Sequence, residues 1–142
     1  MVRVGVCGAA GRMGKTILEV CHDNAGMSIG AATEHPDSPM LGIDAGNVAG
    51  IGELNVSIVS DISQVVDDFD VLIDFTFADA TIANLKTCRA AGKRMVIGTT
   101  GLNESQQVEI RAASQECALI FAPNMSIGVN LCFKLIEMAA QI

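Results

Sequence analysis

Val4-Gly5-Val6-Cys7-Gly8-Ala9-Ala10-Gly11-Arg12-Met13-Gly14 joins a short apolar run to three glycines spaced three apart. The run reads as a strand, Val2–Cys7. The residues from Gly11 to Asn24 read as a helix, with Met13, Ile17, Val20 and Cys21 at helical spacing on its inward side and Lys15, Glu19 and Asp23 outward. A strand, a glycine turn and a helix start, in that order, offer an anion unpaired backbone N–H groups and the positive end of a helix dipole. Gly8 permits the sharp turn, Gly11 lets the backbone approach a phosphate, and Gly14 lets the helix lie close to the strand. The spacing G-x-x-G-x-x-G is one residue longer than the simplest dinucleotide fingerprint. It also serves a tight turn with no ligand, but the strand before it and the helix after it favour the nucleotide reading.

Working outward, Met27–Thr33 is a second strand, and Glu34 stands at its end, 20 residues past Gly14. A carboxylate there can accept both hydroxyls of an adenosine ribose and repels a 2′-phosphate; the competing reading is an exposed loop acid. His35 beside it pairs with a 2′-phosphate when protonated, or is simply solvated. Residues 34–54 are rich in Gly, Pro and Asp without a period and read as a long loop, a kind of segment that is often functional. Strands follow at 56–59, 70–75, 95–98 and 118–122. Helices fall at 61–67 (capped by Ser60 or Asp61), at 78–91 (ended by Gly92), from Asn103 to 116 (Val108, Ile110 and Ala113 inward) and from Ser126 onward. Strand and helix alternate, and the strands are nearly continuous apolar runs. The expected fold is therefore α/β, a doubly wound and mostly parallel sheet of the Rossmann-like, dinucleotide-binding type.

Two further turns lie where such sheets bind ligands, at the carboxyl ends of strands. Val96-Ile97-Gly98-Thr99-Thr100-Gly101 could present hydroxyls and amides to a ribose or nicotinamide, or could be an ordinary turn before the Asn103 cap. Asp74-Phe75-Thr76 carries the same two readings. In Ala122-Pro123-Asn124-Met125-Ser126, Asn124 could offer its amide to a carboxamide or bond its own backbone.

Composition limits the partners. The 142 residues carry a net charge of −7 and no basic stripe, which argues against nucleic acid as a partner. No apolar run approaches a membrane span. Cys7, Cys21, Cys88, Cys117 and Cys132 are odd in number, lack C-x-x-C spacing and lie in or beside apolar segments, so they read as buried, reduced thiols of a cytosolic protein. The only histidines are His22 and His35, and no nucleophile–base set or metal-ligand cluster stands out. The chain reads as a cofactor holder without acid–base machinery of its own. Its last helix, with Leu131, Cys132, Leu135, Ile136, Met138 and Ala139 on a broad apolar face, runs to Gln141-Ile142. This suggests a fragment, or a helix that packs on something further.

Five segments, in order, go beyond a generic fold: Gly8-Ala-Ala-Gly-Arg-Met-Gly14, Leu41-Gly-Ile-Asp-Ala-Gly-Asn-Val-Ala-Gly50, Asp68-Phe-Asp-Val-Leu-Ile-Asp-Phe-Thr76, Val96-Ile-Gly-Thr-Thr-Gly101 and Ala122-Pro-Asn-Met-Ser-Ile-Gly-Val-Asn130. Together they resemble the N-terminal domain of the 4-hydroxy-tetrahydrodipicolinate (dihydrodipicolinate) reductase family. The resemblance implies NADH or NADPH as hydride donor, a cyclic dicarboxylate imine as substrate, a role in lysine and diaminopimelate biosynthesis, and a cytoplasmic homotetramer. By motif it places Gly8, Ala9, Ala10, Gly11, Arg12 and Met13 at the pyrophosphate and Glu34 at the ribose, followed by His35 where NADPH users often carry arginine. Gly98, Thr99 and Thr100 would flank the nicotinamide, Thr100 would also face the substrate, and Ala122, Pro123, Asn124 and Met125 would complete the pocket. The family's proton donor and substrate clamp are expected beyond Ile142, so no catalytic residue is assigned in this chain and the 142 residues alone are expected to be inactive. The expected organisation is a dinucleotide-binding domain over 1–125 and, over 126–142, a helix leading toward a substrate and tetramerisation domain. Another nicotinamide-dependent dehydrogenase and a non-catalytic nucleotide-sensing module are the alternative readings.

Overall fold

The computed structural model describes residues 1–142. Strands β1 (Val2–Cys7), β2 (Met27–Thr33), β3 (Ile58–Val59), β4 (Val71–Asp74), β5 (Arg94–Ile97) and β6 (Leu119–Phe121) form one six-stranded sheet in the order β3-β2-β1-β4-β5-β6. Every pairing is parallel. Chain order runs outward from β1 in both directions, so the carboxyl end of β1 is the point where the connections diverge. Such a point opens a crevice for ligands.

Helices α1 (Arg12–His22) and α2 (Ala45–Ala49) cover one face. On the other lie α3 (Ala78–Ala90), α4 (Glu104–Ala113) and a 3₁₀ segment, Ile62–Asp68, kinked at Val65. Two separate cores result. Val4, Val6, Ala32 and Ile58 pack with Leu18 and Cys21 of α1; Leu72, Met95 and Ile97 pack with Ile82, Leu85 and Cys88 of α3 and with Ile110 of α4. Alternation along each strand sends neighbours to opposite cores, as Ala31 and Ala32 do.

Several local expectations are corrected. The inward stripe of α1 is Gly14, Leu18 and Cys21, while Met13 and Val20 are exposed. The helix is turned by one residue, about 100°, because Gly14 must face the glycine turn. Val108 is exposed although Ile110 and Ala113 are buried; residues two apart on a helix point about 200° apart and cannot share one face. The long loop contains α2, capped by the Asp44 carboxylate on the N–H groups of Gly46 and Asn47 and closed by Gly50. Three cysteines are buried, Cys117 is half-buried and Cys132 is exposed; all five are free thiols. Ser126 caps α5 (Ile127–Ala139), none of whose residues is buried. No helix is long and apolar enough to cross a membrane.

Candidate dinucleotide site

A cleft of about 530 Å³ lies over the carboxyl end of β1. Gly8, Gly11, Arg12, Met13, Glu34 and His35 line it, all singled out from the sequence. Cys7, Gly14, Thr33, Pro36, Ser60, Ile62, Phe75, Thr76, Phe77, Ala80 and Asn84 complete the wall.

The glycine turn is built for close approach. Gly8 takes φ +66°, which disfavours any side chain. A Cβ on Gly14 would stand 2.1 Å from the Gly8 carbonyl oxygen, so α1 is seated directly on the turn. The turn's amides then divide into two sets. Ala9 N–H donates to the Thr33 carbonyl at 3.0 Å, Gly11 N–H to the Gly8 carbonyl at 3.0 Å, and Ala10 N–H to Glu34 Oε1 at 2.9 Å. Ala9 and Ala10, expected in the cradle, thus spend their amides on holding the turn. The N–H groups of Arg12, Met13 and Gly14 have no partner, because Gly11 caps α1 without a side chain. Three bare amides at the start of an eleven-residue helix fit an anion. The Arg12 guanidinium beside them makes no ion pair.

Glu34 is pinned from both sides. Its Oε1 accepts from Ala10 and its Oε2 accepts from its own neighbour, His35 N–H, at 3.0 Å. A carboxylate has about four acceptor positions, so two remain for hydroxyls. His35 is exposed, and its Nδ1 accepts from Asp37 N–H at 3.2 Å.

Beneath the cleft the strand ends are tied by a buried network that local patterns do not reveal. Asp74, fully buried, accepts at Oδ1 from Thr76 N–H (2.9 Å) and the Thr76 hydroxyl (2.6 Å), and at Oδ2 from Asn84 Nδ2 (2.9 Å). The Thr99 hydroxyl donates to Asp74 Oδ1 at 3.3 Å while accepting from Thr81 and from Thr76 N–H. The side chain of Thr99, a candidate for nicotinamide contact, is therefore spent inside the protein. Desolvation, reinforced by the Asp74 carboxylate, pushes the Cys7 thiol well above its ordinary value and keeps it protonated. Gly98 is required for a neighbour's sake: a Cβ there would stand 2.0 Å from the Phe75 ring. Thr100 is exposed. Pro123, Asn124 and Met125 are also exposed, with Ala122 half-buried, and none of them joins the wall of the cleft. Asn124 Oδ1 accepts from Ser126 N–H at 2.8 Å, which is the local bonding open to it from sequence, and its amide NH₂ remains free.

A family model described as "Dihydrodipicolinate reductase, N-terminus" matches residues 2–125. The chain belongs to that family. A dipicolinate-bound dihydrodipicolinate reductase from Paenisporosarcina sp. TG-14 superposes with a TM-score of 0.77 at 26% identity, over 99% of this chain and 54% of that one. This chain thus spans about half the length of that reductase. An oxidoreductase from Agrobacterium radiobacter in complex with NAD+, L-tartaric acid and magnesium (TM-score 0.63, 17% identity, 83% of this chain and 34% of that one) shares the fold. So does an amine dehydrogenase from Mycobacterium smegmatis (0.58, 24%, 67% and 29%). At 17% and 24% identity these last two likenesses are of fold alone.

Proposed function

We propose that this chain is the nicotinamide-dinucleotide domain of a reductase that converts 4-hydroxy-tetrahydrodipicolinate to tetrahydrodipicolinate in lysine and diaminopimelate biosynthesis. The observation that carries the reading is the trio of unpartnered amides at Arg12, Met13 and Gly14, in one cleft with the pinned Glu34 carboxylate. Family membership supports the choice of reaction. NADH or NADPH, when bound, supplies the hydride. The chain's own part is to bind and orient. The α1 amides and Arg12 neutralise the diphosphate, and Glu34 accepts the adenosine ribose hydroxyls. Gly98, Thr100 and the 122–125 turn, at the carboxyl ends of β5 and β6, border the nicotinamide end, with Thr100 toward the substrate. The buried Asp74 network holds the intervening loop.

The proton donor and the groups that hold the cyclic dicarboxylate belong, on this reading, to a part of the protein beyond Ile142. The domain boundary falls at 125, and the exposed apolar face of α5 leads into that part. The whole protein is a cytoplasmic homotetramer. Isothermal titration of the 142-residue chain with NADH tests the core of the proposal. Binding is expected, and Gly11→Val, which puts a branched side chain at the helix start, is expected to abolish it; equal affinity in the two proteins overturns the cradle. Turnover of NADH and 4-hydroxy-tetrahydrodipicolinate by these residues alone would overturn the placement of the proton donor.

A further inference from the structure

Phe77 stands where a helix of this kind ordinarily carries a different residue. It is the N-cap of α3, in extended conformation, and makes no side-chain capping bond. Serine, threonine, aspartate and asparagine are the residues that satisfy a helix start, and an apolar residue there forgoes that stabilisation. The ring gains no burial in return. Phe77 is 78% exposed, more open than any other aromatic side chain in the molecule, and it lines the cleft. A position that gives up both a cap and burial is best explained by a ligand.

Topology says which part of the ligand. Glu34, His35 and Pro36 follow β2, while Phe75, Thr76 and Phe77 follow β4; β2 and β4 flank β1 on opposite sides. The cleft above β1 therefore has a β2 wall and a β4 wall. With the diphosphate on α1 and the ribose on Glu34, the base carried by that ribose must lie between His35-Pro36 and the Phe77-Ala80 edge, over Ile62. Resting on the reading of the cleft as a dinucleotide site, we propose that Phe77 is a binding residue that offers its ring face to the adenine base. Every base has an apolar π-face, and stacking on an aromatic side chain needs no hydrogen bond from the protein.

Two variants test this. Phe77→Ser removes the ring and supplies a cap, so the thermal midpoint should hold or rise while affinity for AMP and for NADH falls about tenfold. Phe77→Trp should keep the affinity. The chain contains no Trp or Tyr, so that variant's tryptophan emission reports this position alone and should be quenched by AMP. Unchanged AMP affinity in Phe77→Ser overturns the proposal, as does weakened NADH binding with AMP binding intact, which would put the ring at the other end of the dinucleotide. A marked fall in thermal midpoint would make Phe77 a packing residue and overturn it too. Failure of the unmodified chain to bind NADH would instead remove the dinucleotide reading on which the proposal stands.

Discussion

β4 is bracketed by two aspartates, and they are held in opposite ways. Asp70, just before the strand, lies at the surface and receives Arg3: the guanidinium reaches Oδ1 at 2.8 Å and the Arg3 N–H reaches Oδ2 at 2.9 Å. Asp74, at the far end, is buried and meets no cation. Its donors are a backbone amide, two hydroxyls and a carboxamide. The amino edge of the sheet is thus fastened by full charges in water, where each pair is worth little and salt screens it. At the carboxyl edge neutral groups fasten the strand in the interior, where a lost partner is expensive. The contrast separates two jobs. Arg3 and Lys93 at the amino edge are spent on the fold, whereas Arg12 at the carboxyl edge is left unpaired for an anion.

The sharpest way to break that contrast is Asp74→Ala. It takes the carboxylate acceptor from the Thr76 and Thr99 hydroxyls and from Asn84, while the Thr76 amide keeps its bond to the Thr99 hydroxyl, and a loss of roughly 4 kcal/mol in urea unfolding is expected; a loss near zero would mean the network is dispensable. Gly14→Ala comes next. Its methyl collides with the Gly8 carbonyl, and a cost of about 3 kcal/mol is expected together with weaker NADH binding by calorimetry. Glu34→Ala should shift the NADH-over-NADPH preference by about 2 kcal/mol toward NADPH, read from the two dissociation constants; an unchanged ratio would take Glu34 away from the ribose.

The smallest effect is expected at the opposite edge. The Arg3 side chain and amide hold the Asp70 carboxyl at about 2, below its ordinary value. Its folded-state pKa is depressed, so its contribution is present above the ordinary carboxylate range and is lost as pH falls from about 4 through about 2. Asp70→Asn should lower the thermal midpoint slightly at neutral pH, and the gap to the unmodified chain should close over that acid range. A gap that persisted below pH 2 would show that the pairing is not what Asp70 contributes.

The parts of this architecture that local chemistry dictates were readable in the sequence. The glycine spacing after an apolar run, a carboxylate at the end of the next strand, the Asn103 cap and Gly92 each act over a few residues, and each stands where its spacing placed it. What escaped depends on groups far apart in the chain. Thr99 read equally as ligand contact or turn, because its partners, Asp74 and Thr81, lie 25 and 18 residues away. Asn84 reaches Cys7 across 77 residues. In α1 Cys21 lies inward as its spacing implies, but Met13 and Val20 do not, because the rows Met13-Ile17-Val20 and Gly14-Leu18-Cys21 are equally helical and only contact with Gly8 selects between them. Phe77 had a readable signal, an aromatic residue at a helix start, but nothing in the sequence showed that its ring would be bare.

Asp44 carries a consequence for the excursion between β2 and β3. Its carboxylate gathers four backbone N–H groups, from Gly46, Asn47, Leu54 and Val56, at 2.9–3.1 Å. Desolvation works to raise its pKa, and these four donors outweigh it, leaving the group below its ordinary value. The two ends of the 44–56 segment are laced to one pair of oxygen atoms, like cords drawn through a single eyelet. A protease seeking a loose bight to nick would find this one stitched shut.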